Sequence, residues 1–129
     1  MPLVRLSRRT GRPAMENKHV LDAVHEALIE AFRIPEEDRL QQLIELDTEH
    51  FEIPSDRSEA FALVEITAYP GRSADAKRAL YQALARRCEA VGIAPHDLFV
   101  VISEPPLENW SARGGVSSAD AKPGFKLDV

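Results

Sequence analysis

Cysteine is nearly missing from this chain. Cys88 stands alone within a helical pattern, which excludes an intramolecular disulfide and suits a reducing compartment. Missing too is any apolar run approaching the ~20 residues that a bilayer-spanning helix needs, or a secretory apolar segment near the start. A cytoplasmic protein without a membrane partner is therefore expected. Positive charge is not in excess: a net charge of -5 and a pI near 5.4 invite neither bulk nucleic acid nor an anionic membrane. The four histidines, His19, His25, His50 and His96, lack metal-ligand spacing, and the two helical ones point to different faces. Gly114-Gly115 is a flexible pair rather than a phosphate loop, and Ser117 and Ser118 lie in no nucleophile elbow. The expectation is a protein with no metal and no cofactor.

What is present fits a soluble globular domain, with 44% apolar and 29% charged residues. At 129 residues and 14.4 kDa the chain can bury one core but not two, so residues 1–129 are expected to form a single domain. The basic cluster Arg5, Arg8, Arg9 and Arg12 admits an RNA-binding arm or a transit peptide. Leu3, Val4 and Leu6 interleave with it, however, and a solvated strand and loop is the expectation.

Leu3 to Ser7 reads as a short strand. Glu16 to Phe32 carries Val20, Leu21, Val24, Leu28, Ala31 and Phe32 at helical spacing, with Asn17 or an earlier residue as its cap. Leu40 to Leu46 reads as an imperfect strand, and a charged connection after it has room for a small strand at Phe51 to Ile53. Ala60 to Tyr69 is the clearest strand, with Phe61 and Leu63 on the side opposite Ala62 and Val64. A second helix runs from Ala74 to about Val91 with Gly92 where a C-terminal cap belongs, and Leu98 to Ser103 is a last strand stopped by Pro105 and Pro106. The arm 111–129 reads as weakly structured, either loose or ordered against a neighbouring chain.

An offset of 59 positions lays Lys18 on Lys77, Leu21 on Leu80, Glu30 on Glu89, Ile34 on Ile93 and Asp38 on Asp97. Strand, helix, proline-containing turn and strand coincide as well. The pattern predicts an α/β (α+β) fold of two consecutive βαβ units, about 2–46 and 60–104. Right-handed crossovers make the strands parallel within each unit, giving a four-stranded mixed sheet with both helices on one face. The other face is left bare, and self-association is the simplest way to cover it.

Pro2 follows the initiator Met1, and so small a residue normally allows that methionine to be removed. The product is a secondary amine at the chain terminus. An α-amino group titrates near ~8, within reach of the neutral range where a general base works. Pro2 is also a common second residue, and taken alone the incidental reading is the stronger one.

Pro2, the doubled βαβ unit, Pro35-Glu36-Glu37-Asp38-Arg39, Gly71-Arg72-Ser73 with Lys77 and Tyr81, and Glu108-Asn109-Trp110-Ser111 together resemble the tautomerase superfamily. Within it, they are most similar to the malonate semialdehyde decarboxylase-like branch. The resemblance spans about 2–115 and implies a homotrimer with an amino-terminal proline as catalytic acid or base. It further implies that Arg72 binds the substrate carboxylate, that Asp38 activates water or positions the substrate, and that Trp110 lines the pocket. Tyr69 stands where the decarboxylase has a second arginine and remains a candidate substrate contact. Ala112 and Leu40 replace an aromatic residue and a tyrosine of that branch.

Residue chemistry leaves alternatives beside these roles. Arg72 precedes a helix start that Ser73 can cap, where the dipole disfavours a cation but where helix N–H groups and a guanidinium together receive a carboxylate. A solvated surface arginine is the competing reading. Asp38 shares its turn with Asp97, which suggests a common structural job, and Trp110 could simply cover a core edge. The expected function is cofactor-independent tautomerisation of a small 2-oxo acid or enol carboxylate. The alternatives are decarboxylation or hydration of a 3-oxo acid, and a non-enzymatic ligand-binding or assembly module.

Overall fold

The computed structural model describes residues 2–121. Strand β1 (Pro2–Arg9) leads through helix α1 (Ala14–Phe32) to β2 (Leu40–Leu46). Strand β3 (Ala62–Ala68), helix α2 (Ala74–Glu89) and β4 (Leu98–Ser103) repeat that order. The sheet order is β2-β1-β3-β4. β1 runs parallel to β2 and β3 parallel to β4, whereas β1 and β3 are antiparallel. This is the doubled βαβ sheet that the internal repeat predicts.

Alternation places Val4 and Leu6 of β1 and Ala62, Val64, Ile66 and Ala68 of β3 toward the helices, all buried. Val20, Val24 and Leu28 of α1 and Leu80, Ala83 and Leu84 of α2 complete one core between sheet and helices. Cys88 belongs to that core, where burial pushes its thiol up to about 11. The opposite sheet face is uncovered in the single chain. Phe99 and Val101 are largely exposed there, beside Leu63 and Glu65 of β3. Among the described residues no helix is long and apolar enough to cross a membrane.

Several local expectations are corrected. Phe51 to Ile53 forms no strand; a turn of 3-10 helix, Thr48–His50, precedes it, and Phe51 instead packs its ring on Phe61. Phe61 is thereby buried rather than bare. Helix α1 begins at Ala14 with Pro13, which has no side-chain acceptor, at its N-cap; Asn17 lies inside the helix, turned inward to accept a hydrogen bond from Arg8. The basic cluster is not a wholly solvated strand: Arg8 is fully buried, its guanidinium donating to Glu16, Asn17 and the Ala60 carbonyl, each at 3.0 Å. Strand alternation makes Arg8 follow Val4 and Leu6 into the interior, and a buried cation requires such partners. Helix α2 ends at Glu89, and Gly92 follows with a φ of 108°. A Cβ at Gly92 would stand 2.5 Å from Glu16 Oε1, so the Glu16 side chain packs over the loop that follows α2.

The segment after β4 is not loose as far as residue 121. Ser118 N–H donates to the Trp110 carbonyl at 2.8 Å and its side chain is buried, so 110–118 folds back on the domain. The remainder of the expected arm lies outside the described residues.

Candidate active site

Strand register gathers the candidate residues at one end of the sheet. Pro2 is buried and pairs with Ala68, just upstream of Arg72, while Leu3 pairs with Leu40, just downstream of Asp38. Residues remote in sequence thus meet because β1 is the central strand shared by both units.

Arg72 is only 5% exposed, which removes the solvated-surface reading. The turn Tyr69 to Ser73 delivers it: Ser73 caps α2 by accepting from the Ala76 N–H at 3.1 Å, and Gly71 takes a φ of 129°. The guanidinium lies over the Phe32 ring at 4.8 Å and donates through Nη1 to the Tyr69 carbonyl at 3.2 Å. Burial lowers its pKa from the ordinary arginine value, opposed by the carboxylates of Glu104 and Asp38, whose fields reach it. Asp38 and Glu104 therefore share the electrostatic neighbourhood of Arg72. Glu104, just past the end of β4, also binds Lys77 of α2.

Asp38 and Asp97 share a turn but not a job. Each N–H closes its turn onto a carbonyl three residues back, Pro35 for Asp38 and Ala94 for Asp97. The Asp97 carboxylate is buried and accepts from the Ser58 N–H at 2.8 Å and the Ser58 hydroxyl at 2.5 Å. The Asp38 carboxylate instead lies close enough to Arg72 for its charge to oppose, after that of Glu104, the lowering of the guanidinium pKa by burial. Its turn is clamped to α1, where the Glu36 carbonyl meets His25 Nε2 at 2.8 Å and Arg39 pairs with Asp22.

Tyr69 and Trp110 meet edge to face, with ring centroids 4.8 Å apart and planes at 80°. The indole N–H donates to the Pro105 carbonyl at 3.0 Å, and the Tyr69 hydroxyl shares a hydrogen bond with that of Ser118 at 3.2 Å. Pro2, Asp38, Arg72, Tyr69 and Trp110 all belong to segments meeting at this sheet end. Glu104, Lys77, Phe32 and Ser118 join them; the sequence assigns none of the four a role in the site, although Lys77 belongs to the family-like motif and Phe32 to the helical stripe. No group of three or more histidine, cysteine or acidic side chains suited to a metal ion occurs among the described residues.

The family described as "Tautomerase enzyme" matches residues 38–113. A probable tautomerase of Bacillus subtilis (strain 168), YrdN, is 33% identical over 117 residues, covering 86% of this chain and 90% of the relative. A second from the same organism, YusQ, is 25% identical over 121 residues, covering 89% and 95%. Among solved structures, a malonate semialdehyde decarboxylase described for its decarboxylase and hydratase activities superposes with a TM-score of 0.82 at 29% identity, over 88% of this chain and 92% of that one. A fused 4-OT symmetric trimer shares the fold, with a TM-score of 0.83 at 23% identity over 94% and 99%.

Proposed function

This chain belongs to the tautomerase family, in a malonate semialdehyde decarboxylase-like relationship, and on that premise we propose that it catalyses cofactor-independent keto-enol tautomerisation of a small 2-oxo acid or enol carboxylate. The observation carrying this reading is the convergence of Pro2, Asp38 and the buried Arg72 at one sheet end. With Met1 removed, Pro2 presents its amine at the head of the central strand, and burial favours the neutral base. The amine takes a proton from the enol hydroxyl or from carbon and returns one at the other position. Arg72 holds the carboxylate and polarises the adjacent carbonyl, and it does so best where water is excluded. Asp38 tunes Arg72, and Tyr69 with Trp110 forms an aromatic wall for the rest of the substrate.

The uncovered sheet face supports assembly, and a homotrimer is the proposed form, by likeness to the trimeric fused 4-OT. The free thiol of Cys88 accords with a reducing cytoplasm. A second reading, hydration or decarboxylation of a 3-oxo acid, draws on the Asp38 carboxylate near Arg72 and on likeness to malonate semialdehyde decarboxylase.

The test is ketonisation of phenylenolpyruvate by wild type and Pro2→Ala, after intact-mass measurement shows Met1 removed. Loss of a general acid/base predicts a fall of about 10²- to 10⁴-fold. Equal rates would eliminate the proline mechanism, and a retained Met1 would point to a binding or assembly module. Turnover of malonate semialdehyde at a higher kcat/KM would select the second reading.

A further inference from the structure

Between residues 111 and 121 every side chain is exposed or half-buried except one, Ser118. No motif marks it, yet it is one of the few buried polar groups in the domain. Its N–H binds the Trp110 carbonyl at 2.8 Å and its hydroxyl meets the Tyr69 hydroxyl at 3.2 Å. Tyr69 in turn stands edge-on to Trp110 and accepts from Arg72 through its carbonyl. The short bridge Arg113 to Val116 gives the returning segment its turn.

We propose that Ser118 is a positioning residue for substrate binding, fixing the Tyr69 phenol against Trp110 so that the aromatic wall keeps one orientation beside Arg72. The inference rests on the reading of Arg72 as the carboxylate anchor. A buried phenol needs a hydrogen-bond partner, and Ser118 supplies one from a segment with little other hold on the domain. Without that hydroxyl, Tyr69 turns toward water or toward the polar groups around Arg72, and the wall loses its shape. The substrate class that depends on it is a small carboxylate whose other half is flat and apolar, seated against Tyr69 and Trp110. Ser118 touches no reacting atom, so its effect falls on affinity rather than on the proton transfer.

The experiment measures KM and kcat for phenylenolpyruvate in Ser118→Ala, Ser118→Thr, Tyr69→Phe and the Ser118→Ala/Tyr69→Phe double variant, with Tm recorded for each. Ser118→Ala is expected to raise KM about fivefold with kcat within about twofold, and the threonine variant to restore it. The double variant should be no worse than the poorer single, since both remove one hydrogen bond. Trp110 is the only tryptophan, so its emission should shift in Ser118→Ala without any substrate. Quenching of that emission by phenylpyruvate gives the affinity change even in a protein without tautomerase activity. Failure of the proline mechanism and failure of this inference are thus read separately. A lowered Tm with unchanged KM and quenching, or effects that multiply in the double variant, would overturn the assignment.

Discussion

Arg8 and Arg72 are both buried, at opposite ends of the sheet, and burial lowers the pKa of each. Their surroundings differ in kind. Arg8 is held by a carboxylate, an amide and a backbone carbonyl, and Glu16 is gripped in turn by Arg12. That end is stitched across β1, α1 and the approach to β3, which is what a structural cation needs to offset desolvation. Arg72 lies between an aromatic ring and a backbone carbonyl, in the fields of Asp38 and Glu104, at the end where Pro2 begins the chain's central strand. The lesson is that burial alone does not distinguish a staple from a candidate site; the chemistry gathered around the guanidinium does.

The comparison is broken most directly at Arg8. Arg8→Met leaves Asn17 Oδ1 and the Ala60 carbonyl without their donor and Glu16 with Arg12 alone, and is expected to cost about 3–5 kcal/mol, seen as a fall of about 10–20 °C in Tm. Arg72→Lys keeps the charge but loses the planar fork; it should cut kcat/KM for phenylenolpyruvate about 10²-fold while lowering Tm far less than Arg8→Met. Matching Tm losses in the two variants would erase the distinction.

The two repeat-related aspartates sharpen it further. Burial pushes the Asp97 carboxyl up, but the hydrogen bonds from Ser58 outweigh it and leave the group below its ordinary value. Asp97→Ala should therefore cost about 2 kcal/mol in urea unfolding. Asp38→Asn should leave that midpoint nearly unchanged and lower kcat/KM about tenfold through its effect on Arg72. A smaller effect lies in pH dependence. The hydrogen bond from Arg12, against desolvation and with the help of Arg8, holds the Glu16 carboxyl below its usual value. Its stabilisation is present in full above the unfolded carboxylate range and is lost as pH falls through the lower folded value. Acid titration of Tm should thus be shallower in Glu16→Gln than in wild type. Smallest of all, Cys88, with its thiol raised to about 11, should resist alkylation at pH 8 until the chain unfolds.

Much of the fold was legible because apolar spacing encodes which face each element buries. The stripe from Val20 to Phe32 and the alternation from Ala62 to Ala68 announced helix and strand, and the repeat announced their pairing. Arg8 was misread because its charge argued for solvent, whereas its place in the β1 alternation argued for the core. The Phe51 stretch was misread because local composition cannot tell a strand from an aromatic plug over Phe61. At the site, Pro2, Arg72, Asp38 and Trp110 emerged from motif order and resemblance. Ser118 and Glu104 did not, since their partners Tyr69 and Lys77 lie far away along the chain.

By itself the order of residues determined the doubled βαβ plan, the buried stripes and a proline at the head of a strand, because periodicity and chain order are local properties. Only the tertiary structure decided which polar groups share a neighbourhood. The antiparallel register of β1 on β3 carries Pro2 to Ala68, and the capped turn after β3 buries Arg72 over Phe32. The physical reason is that an arginine's environment is set by the elements that close around it, and those come from every part of the chain.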